Sequence, residues 1–223
     1  MSASTAARQK KVLLVDDHPL VREGIRMALA GERDLTVCGE AADAPDALRA
    51  IETTGPDVAV VDLALKDSSG LELIKDIRLR WPKLPVLVLS MRDEGVYAER
   101  VLRAGALGYV TKEDGSRKVV EGIRKVLAGH IYVNDRIASK VMGRIVAGGQ
   151  GDGSAVDSLS DRELAVFELI GQGIPTREIA RKMHISPKTV DSYREHIKAK
   201  LHLDSATELL KHAVQWVQDE ASA

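Results

Sequence analysis

A strand-then-helix alternation, repeated five times, constrains this chain more than any other feature. Strands are expected over 11–16, 35–40, 57–62, 85–90 and 107–111, and helices over 19–30, 44–53, 70–80, 94–104 and 116–129. The stretch Pro56-Asp57-Val58-Ala59-Val60-Val61-Asp62-Leu63 shows why. It is apolar without polar alternation, which suits a strand covered on both faces in a parallel sheet flanked by helices. Five such units imply an α/β fold, a doubly wound five-stranded parallel sheet with right-handed crossovers.

In such sheets ligands bind at the carboxyl ends of the strands. Here those ends carry chemistry. Val12-Leu13-Leu14-Val15 runs into Asp16-Asp17, Val58 to Val61 into Asp62, Pro85 to Leu89 into Ser90, and Gly108 to Thr111 into Lys112. One edge would gather three carboxylates, a hydroxyl and an ammonium. Converging carboxylates repel one another unless a cation joins them. Oxygen donors with open positions suit Mg²⁺, whereas structural Zn²⁺ needs Cys or clustered His, and the six His are scattered. A carboxylate beside such an ion can attack a phosphoryl group, with Lys112 neutralising the developing charge and Ser90 bonding the bound phosphoryl. Asp62 therefore reads as a phosphate acceptor. Taken singly, each residue has an ordinary reading: Asp16-Asp17 as a helix cap, Asp62 as a turn former, Lys112 as a solvated lysine. Four complementary ends on successive strands favour the joint reading.

Two domains fit the 223 residues. A helix over 135–146 is expected to lead out of the first, followed by a flexible Gly-rich linker over 147–154. Beyond it only short helices are expected, over 161–171, 176–183, 187–201 and 205–218. Ser160 and Glu163 have capping-box spacing, and Ser186-Pro187 supplies a second helix start. The formal net charge of −1 gives no global attraction for nucleic acid, so such binding needs a local patch. A single cysteine, Cys38, excludes an internal disulfide and fits a reducing compartment. No apolar run is long enough to span a bilayer, Met1 to Lys10 lacks a signal-peptide core, and a cytoplasmic protein with no membrane partner is expected. Met1 to Gln9 is expected to fray.

The residues Asp16-Asp17-His18-Pro19-Leu20, Asp62-Leu63-Ala64-Leu65 with Gly70-Leu71-Glu72, Ser90, and Gly105-Ala106-Leu107-Gly108-Tyr109 with Lys112 resemble the receiver domain of two-component response regulators. That resemblance assigns a flavodoxin-like receiver to 10–130. It implies that Asp62 accepts a phosphoryl group from a sensor histidine kinase or a small phosphodonor. Asp17, Asp62 and the Ala64 carbonyl would hold Mg²⁺, with Asp16 acting through the ion's water shell. Ser90 and Tyr109 match residues whose movement reports phosphorylation. Lys66 and Glu113 depart from the prolines common in the family, which bears on the loop after Asp62 and on the Lys112-Glu113 peptide bond. A rival class, Mg²⁺-dependent phosphatases with an aspartyl-phosphate intermediate, wants an Asp two residues after the nucleophile. Ala64 stands there, so turnover lacks its acid-base partner. The protein is not expected to be an enzyme beyond its own phosphotransfer and dephosphorylation.

In the second domain, Met183 to Pro187 forms a compact turn between two helices, as a helix-turn-helix requires. Val190, Tyr193, Ile197 and Leu201 mark the buried side of helix 187–201, and Lys188, Asp191, Ser192 and Glu195 the open side. From Thr176 to Lys200, seven basic residues face three acids. A small bundle with a solvated polar face would show the same balance. Resemblance favours the other reading. Leu159 to Glu163, Gln172-Gly173, Glu178-Ile179-Ala180 and Ser186 to Leu201 are similar to the LuxR-type DNA-binding domain. With the receiver this makes a NarL/FixJ-type response regulator, with 131–158 as linker helix and Gly-rich linker and 159–220 as the helix-turn-helix domain. The resemblance implies double-stranded promoter DNA, a homodimer on phosphorylation or DNA binding, and RNA polymerase as partners. Lys188, Thr189, Arg194, Lys198 and Lys200 become backbone contacts, and Asp191, Ser192 and Glu195 base-reading positions. Ala206, Leu209, Leu210 and Ala213 match a DNA-bound dimer contact or ordinary core. His18 is expected to start a helix, His184 to pack in the turn, and Trp81 and Trp216 to be packing residues.

Overall fold

A computed structural model describes residues 8–65, 68–90, 96–135, 137–139 and 155–222. The chain separates into two compact units, Met1–Asp135 and Arg136–Ala223. In the first, β1 (Lys10–Val15), β2 (Leu35–Ala41) and β3 (Val58–Asp62) alternate with α1 (Pro19–Ala30) and α2 (Ala44–Thr54). A two-residue hairpin follows, β4 (Ala64–Leu65) against β5 (Ser68–Ser69), and leads into α3 (Gly70–Arg80). Then come β6 (Val86–Ser90), α4 (Val96–Ala104), β7 (Gly108–Thr111), a 3-10 turn over Lys112–Asp114, and α5 (Ser116–Leu127).

The five longer strands form one parallel sheet in the order β2-β1-β3-β6-β7. Chain direction across the sheet reverses at β1, so the carboxyl ends of β1 and β3 flank the crevice where such folds bind ligands. Val12, Leu14, Val58, Val60, Leu87, Leu89 and Val110 pack with Ile25 and Leu29 of α1 and Val119, Val120, Ile123 and Val126 of α5. The alternate strand residues Leu13, Val15, Ala59, Val61, Val86 and Val88 are equally buried. Burial on both faces explains the continuous apolar runs in the sequence.

The expected strands and helices occur within a residue or two at most ends, with α3 at 70–80 as expected. The expected helix over 135–146 and linker over 147–154 lie largely outside the described residues; Asp135 and residues 137–139 are helical. After α5 the chain stays on the sheet, with Tyr132 pairing in parallel with Gly108.

The second unit holds a 3-10 turn (Ala155–Ser158) and four helices, α6 (Asp161–Gly171), α7 (Thr176–Lys182), α8 (Pro187–Leu201) and α9 (Ala206–Ser222). Leu164, Phe167, Ile170, Ile179, Val190, Ile197, Leu209 and Ala213 form its interior. Phe167 and Trp216 pack with ring centroids 5.7 Å apart, which bears out Trp216 as a packing residue. No described helix is long and apolar enough to cross a membrane.

Candidate functional site

Three strand ends bring the first site together. Asp62 is the last residue of β3 and Asp16 follows β1; both are almost fully buried. Lys112 follows β7, and its Nζ lies 2.8 Å from Asp62 Oδ2 and 2.7 Å from Asp16 Oδ2. Asp62 Oδ1 accepts from the Ala64 backbone N–H at 3.3 Å. Lys112 is held by the turn it opens, where Asp114 Oδ2 accepts from the Thr111 amide at 3.0 Å and from its hydroxyl at 2.7 Å. The Thr-x-x-Asp spacing of Thr111 and Asp114 is the sequence signal for that turn, a functional support absent from the expectations above.

His18 does more than start a helix. It sits at the start of α1, as expected, but makes no side-chain cap bond. Its Nδ1 lies 2.7 Å from Asp17 Oδ1 and 3.1 Å from Asp16 Oδ1. Donor atoms of Asp16, Asp17, His18 and Asp62 all fall within 4.8 Å of one another, so His18 belongs to the cluster. Two buried oxygens, Asp16 Oδ2 and Asp17 Oδ1, lie near Lys112 Nζ and His18 Nδ1 yet accept no directed hydrogen bond. Buried acceptors of that kind call for a cation among them, and three carboxylates fit a hard divalent ion.

Burial pushes the Asp62 carboxyl above its usual range; the Lys112 ammonium opposes this and the Asp16 charge adds to it. Burial would lower Lys112, but its contacts with Asp16 and Asp62 outweigh that and hold the ammonium above its usual range. The site thus keeps a fixed positive charge beside a carboxylate that is costly to ionise unaided.

Ser90 ends β6 one position past Leu89, the register partner of Asp62, and pairs with Thr111; Tyr109 lies within β7 opposite Val88. Both are buried. The loop residue Lys66 lies outside the described residues, and no cis peptide bond occurs among the described ones, Lys112-Glu113 included.

In the second unit α8 starts as expected, with the Ser186 hydroxyl accepting from the Thr189 amide at 3.0 Å and Pro187 in the first turn. Val190 and Ile197 are buried, and Lys188, Asp191, Ser192 and Glu195 are exposed together. His184 departs from its expected packing: it is exposed and takes a left-handed φ of 53° in the turn. The basic residues are not equally available. Arg194 Nη1 reaches Thr176 Oγ1 at 3.5 Å, joining α8 to α7, and Lys198 pairs with Glu195 at 2.9 Å. Lys200 Nζ bonds the buried Glu163 carboxylate at 2.6 Å.

That last pair has a consequence for stability. Glu163 Oε2 also accepts from the Ser160 amide at 2.7 Å, closing the expected capping box. Burial raises the Glu163 carboxyl, but Lys200 and Ser160 outweigh it and the net shift is downward. A depressed carboxyl stabilises the fold above its unfolded pKa of about 4.3, and that contribution is lost as pH falls below it. Glu163→Gln should cost roughly 1.5 to 3 kcal/mol at pH 7, and less in acid. Thermal melts of the 155–222 unit at pH 7 and pH 4 check this; an equal loss at both contradicts it.

The profile of the response regulator receiver domain matches residues 12–124, and that of the bacterial regulatory proteins of the luxR family matches 157–213. The response regulator GacA of Pseudomonas aeruginosa is 37% identical over 205 residues, covering 92% of this chain and 95% of that protein. The oxygen regulatory protein NreC of Staphylococcus epidermidis is 33% identical over 211 residues, covering 92% and 97%. Among solved structures, RcsB of Salmonella enterica serovar Typhimurium, bound to a promoter with phosphomimetic BeF₃⁻, is 28% identical with a TM-score of 0.67, covering 92% and 98%. Fold, site and these likenesses define a two-domain transcription regulator, a receiver followed by a helix-turn-helix domain. The chain belongs to the response regulators of two-component systems, in the NarL/FixJ-type arrangement.

Proposed function

We propose that Asp62 accepts the phosphoryl group and that its phosphorylation controls promoter binding through α8. The observation that carries this is the buried Lys112 ammonium bridging Asp16 and Asp62 at 2.7 and 2.8 Å. An Asp62 carboxylate oxygen forms the new O–P bond as the P–N bond of a kinase phosphohistidine breaks, and the departing imidazole takes up a proton. Lys112 stands where charge develops on the transferring oxygens. Asp16, Asp17, Asp62 and the Ala64 carbonyl would hold Mg²⁺, which when bound offsets the charge of carboxylates and phosphoryl oxygens. Ser90 would bond the phosphoryl group, and Ser90 and Tyr109 would shift with it. Hydrolysis of the acyl phosphate is slow here because Ala64 supplies no acid or base. Domain limits of 10–130 and 159–220, a sensor histidine kinase, a homodimer, RNA polymerase and a cytoplasmic location complete the reading. Labelling by acetyl phosphate with Mg²⁺ tests it. EDTA should abolish the label and added Mg²⁺ restore it; labelling that ignores the metal would exclude the acidic site.

On the DNA side, the two acids of α8 should behave differently. Asp191 is exposed near the start of α8, where recognition helices meet base edges, whereas Glu195 is paired with Lys198. A carboxylate there accepts from the amino group of cytosine. Asp191→Ala should relax preference at one position of each half-site by roughly 1 to 3 kcal/mol. Lys188→Ala should weaken all sequences alike and reduce the log-log salt slope by about one. Lys200, Arg194, Thr189 and Lys198 remain backbone contacts in this reading, but the Glu163 pair makes Lys200 the poorer probe. Half-sites should lie about one helical turn apart for a symmetric dimer. Selection from random DNA with each variant checks both outcomes; unaltered preference after replacing Asp191, Ser192 and Glu195 together refutes this reading face.

A further inference from the structure

Past α5 the chain does not leave the receiver sheet at once. The Tyr132 amide donates to Leu107 O at 2.9 Å, and the Tyr132 carbonyl accepts from the Tyr109 amide at 2.8 Å. These are the two bonds of a parallel bridge on the free edge of β7. The fit is close on every side. A Cβ at Gly108 would stand 2.8 Å from the Tyr132 carbonyl, and one at Gly122 would stand 2.9 Å from a Tyr132 ring carbon and 3.1 Å from Leu87. Only glycine at 108 and 122 lets this segment lie on the strand. Burial, with Glu121 beside the hydroxyl, pushes the Tyr132 phenol up to about 12, so it stays an uncharged anchor at physiological pH.

The bridge joins two parts of the molecule that matter to each other. Upstream, Tyr109 precedes by three residues Lys112, whose ammonium grips Asp62 and Asp16. Thr111 and Asp114 brace the backbone turn that carries that lysine at the end of β7, so a shift of the turn is passed to the strand. Downstream, Tyr132 lies only a few residues before the boundary of the two compact units at Asp135. We propose that Tyr132 is a positioning residue that clamps the start of the linker to β7, so that a change in the Lys112–Asp62 contact reaches the linker through the Leu107–Tyr132–Tyr109 hydrogen bonds. This rests on Asp62 as the acceptor, because a phosphoryl group there would draw on the same ammonium. The clamp need not open fully. A shift of β7 that lengthens the bridge changes how often the linker detaches, which suffices to bias a two-state arrangement.

The test uses the full chain and compares wild type, Tyr132→Ala, Tyr132→Phe and Gly122→Ala. Each is labelled with acetyl phosphate and Mg²⁺, the phosphate stoichiometry is read by intact mass, and DNA affinity is measured with and without label. Tyr132→Ala and Gly122→Ala should label at Asp62 like wild type, which also shows that the receiver is folded. Their phosphorylation-dependent affinity ratio should collapse from the about 5- to 150-fold range usual for coupled sites to near one. Tyr132→Phe keeps ring and backbone and should keep the ratio. In wild type, amide exchange at Tyr109 and Tyr132 should change together on phosphorylation. A wild-type ratio retained by Tyr132→Ala, or exchange at those two amides that ignores phosphate at full stoichiometry, overturns the clamp. Failure of wild type to label is a different result: it removes the acceptor reading, and the clamp with it.

Discussion

Asp62→Asn should carry no phosphate after exposure to acetyl phosphate and Mg²⁺, under conditions that label the wild type. The loss is expected to be complete because an amide oxygen is a poor nucleophile and, among the described carboxylates, only Asp62 and Asp16 contact the Lys112 ammonium. Asp16, which also contacts Lys112, sits past β1 with its Oδ1 occupied by the His18 amide at 2.8 Å. The substitution is gentle. Asn keeps the size of Asp62 and an oxygen for the Ala64 amide, and it removes one of two like charges around Lys112. Intact-protein mass spectrometry reads the result, with far-ultraviolet dichroism showing that the fold persists. Equal phosphate on the variant would move the acceptor elsewhere.

The second large effect belongs to Gly70, the first residue of α3. Its amide donates to Leu63 O at 3.1 Å, and a Cβ there would stand 2.0 Å from the Asp62 carbonyl oxygen and 2.7 Å from the Leu63 Cα. Those neighbours are backbone and cannot swing aside as a side chain would. Gly70→Ala must therefore push α3 away or displace the end of β3. Overpacking of this kind costs typically about 1 to 3 kcal/mol, and contact with backbone places it at the upper end. A displacement of about 1 Å at a reacting group can slow a reaction by roughly 100-fold, so labelling at Asp62 should fall steeply as well. Denaturant titration and labelling rates check both parts. An alanine variant as stable and as fast as wild type would show that α3 does not constrain Asp62.

The site was legible where chemistry follows a period. A buried strand that ends in Asp or Lys states in one dimension both its burial and the group it delivers, which is why the neighbourhood of Asp16, Asp62 and Lys112 is legible in the sequence. Right-handed crossovers restrict the strand order without fixing it, and the reversal at β1 is seen only in the structure. What escaped has no period or spans the chain. The β4–β5 hairpin is two residues on each side, too short to alternate. That His18 starts a helix is legible beside Pro19, but that place says nothing about where the ring turns; Nδ1 lies against the aspartates before it. Lys200 looked like a free cation on a basic helix, since nothing local announces Glu163, 37 positions away. Tyr132 lay just past an expected domain edge, where an irregular segment is the ordinary expectation and only long-range pairing shows otherwise.

The central claim, that phosphate on Asp62 governs DNA binding, is tested most directly by affinity for one selected DNA site. It is measured by fluorescence anisotropy at fixed salt for wild type and Asp62→Asn, each with and without phosphodonor. The account predicts tighter binding by the phosphorylated wild type, by about 5- to 150-fold. It predicts one unchanged affinity for Asp62→Asn in both conditions, equal to that of unphosphorylated wild type. Wild type that is fully phosphorylated by mass yet binds no differently would contradict it and leave a constitutive DNA-binding protein.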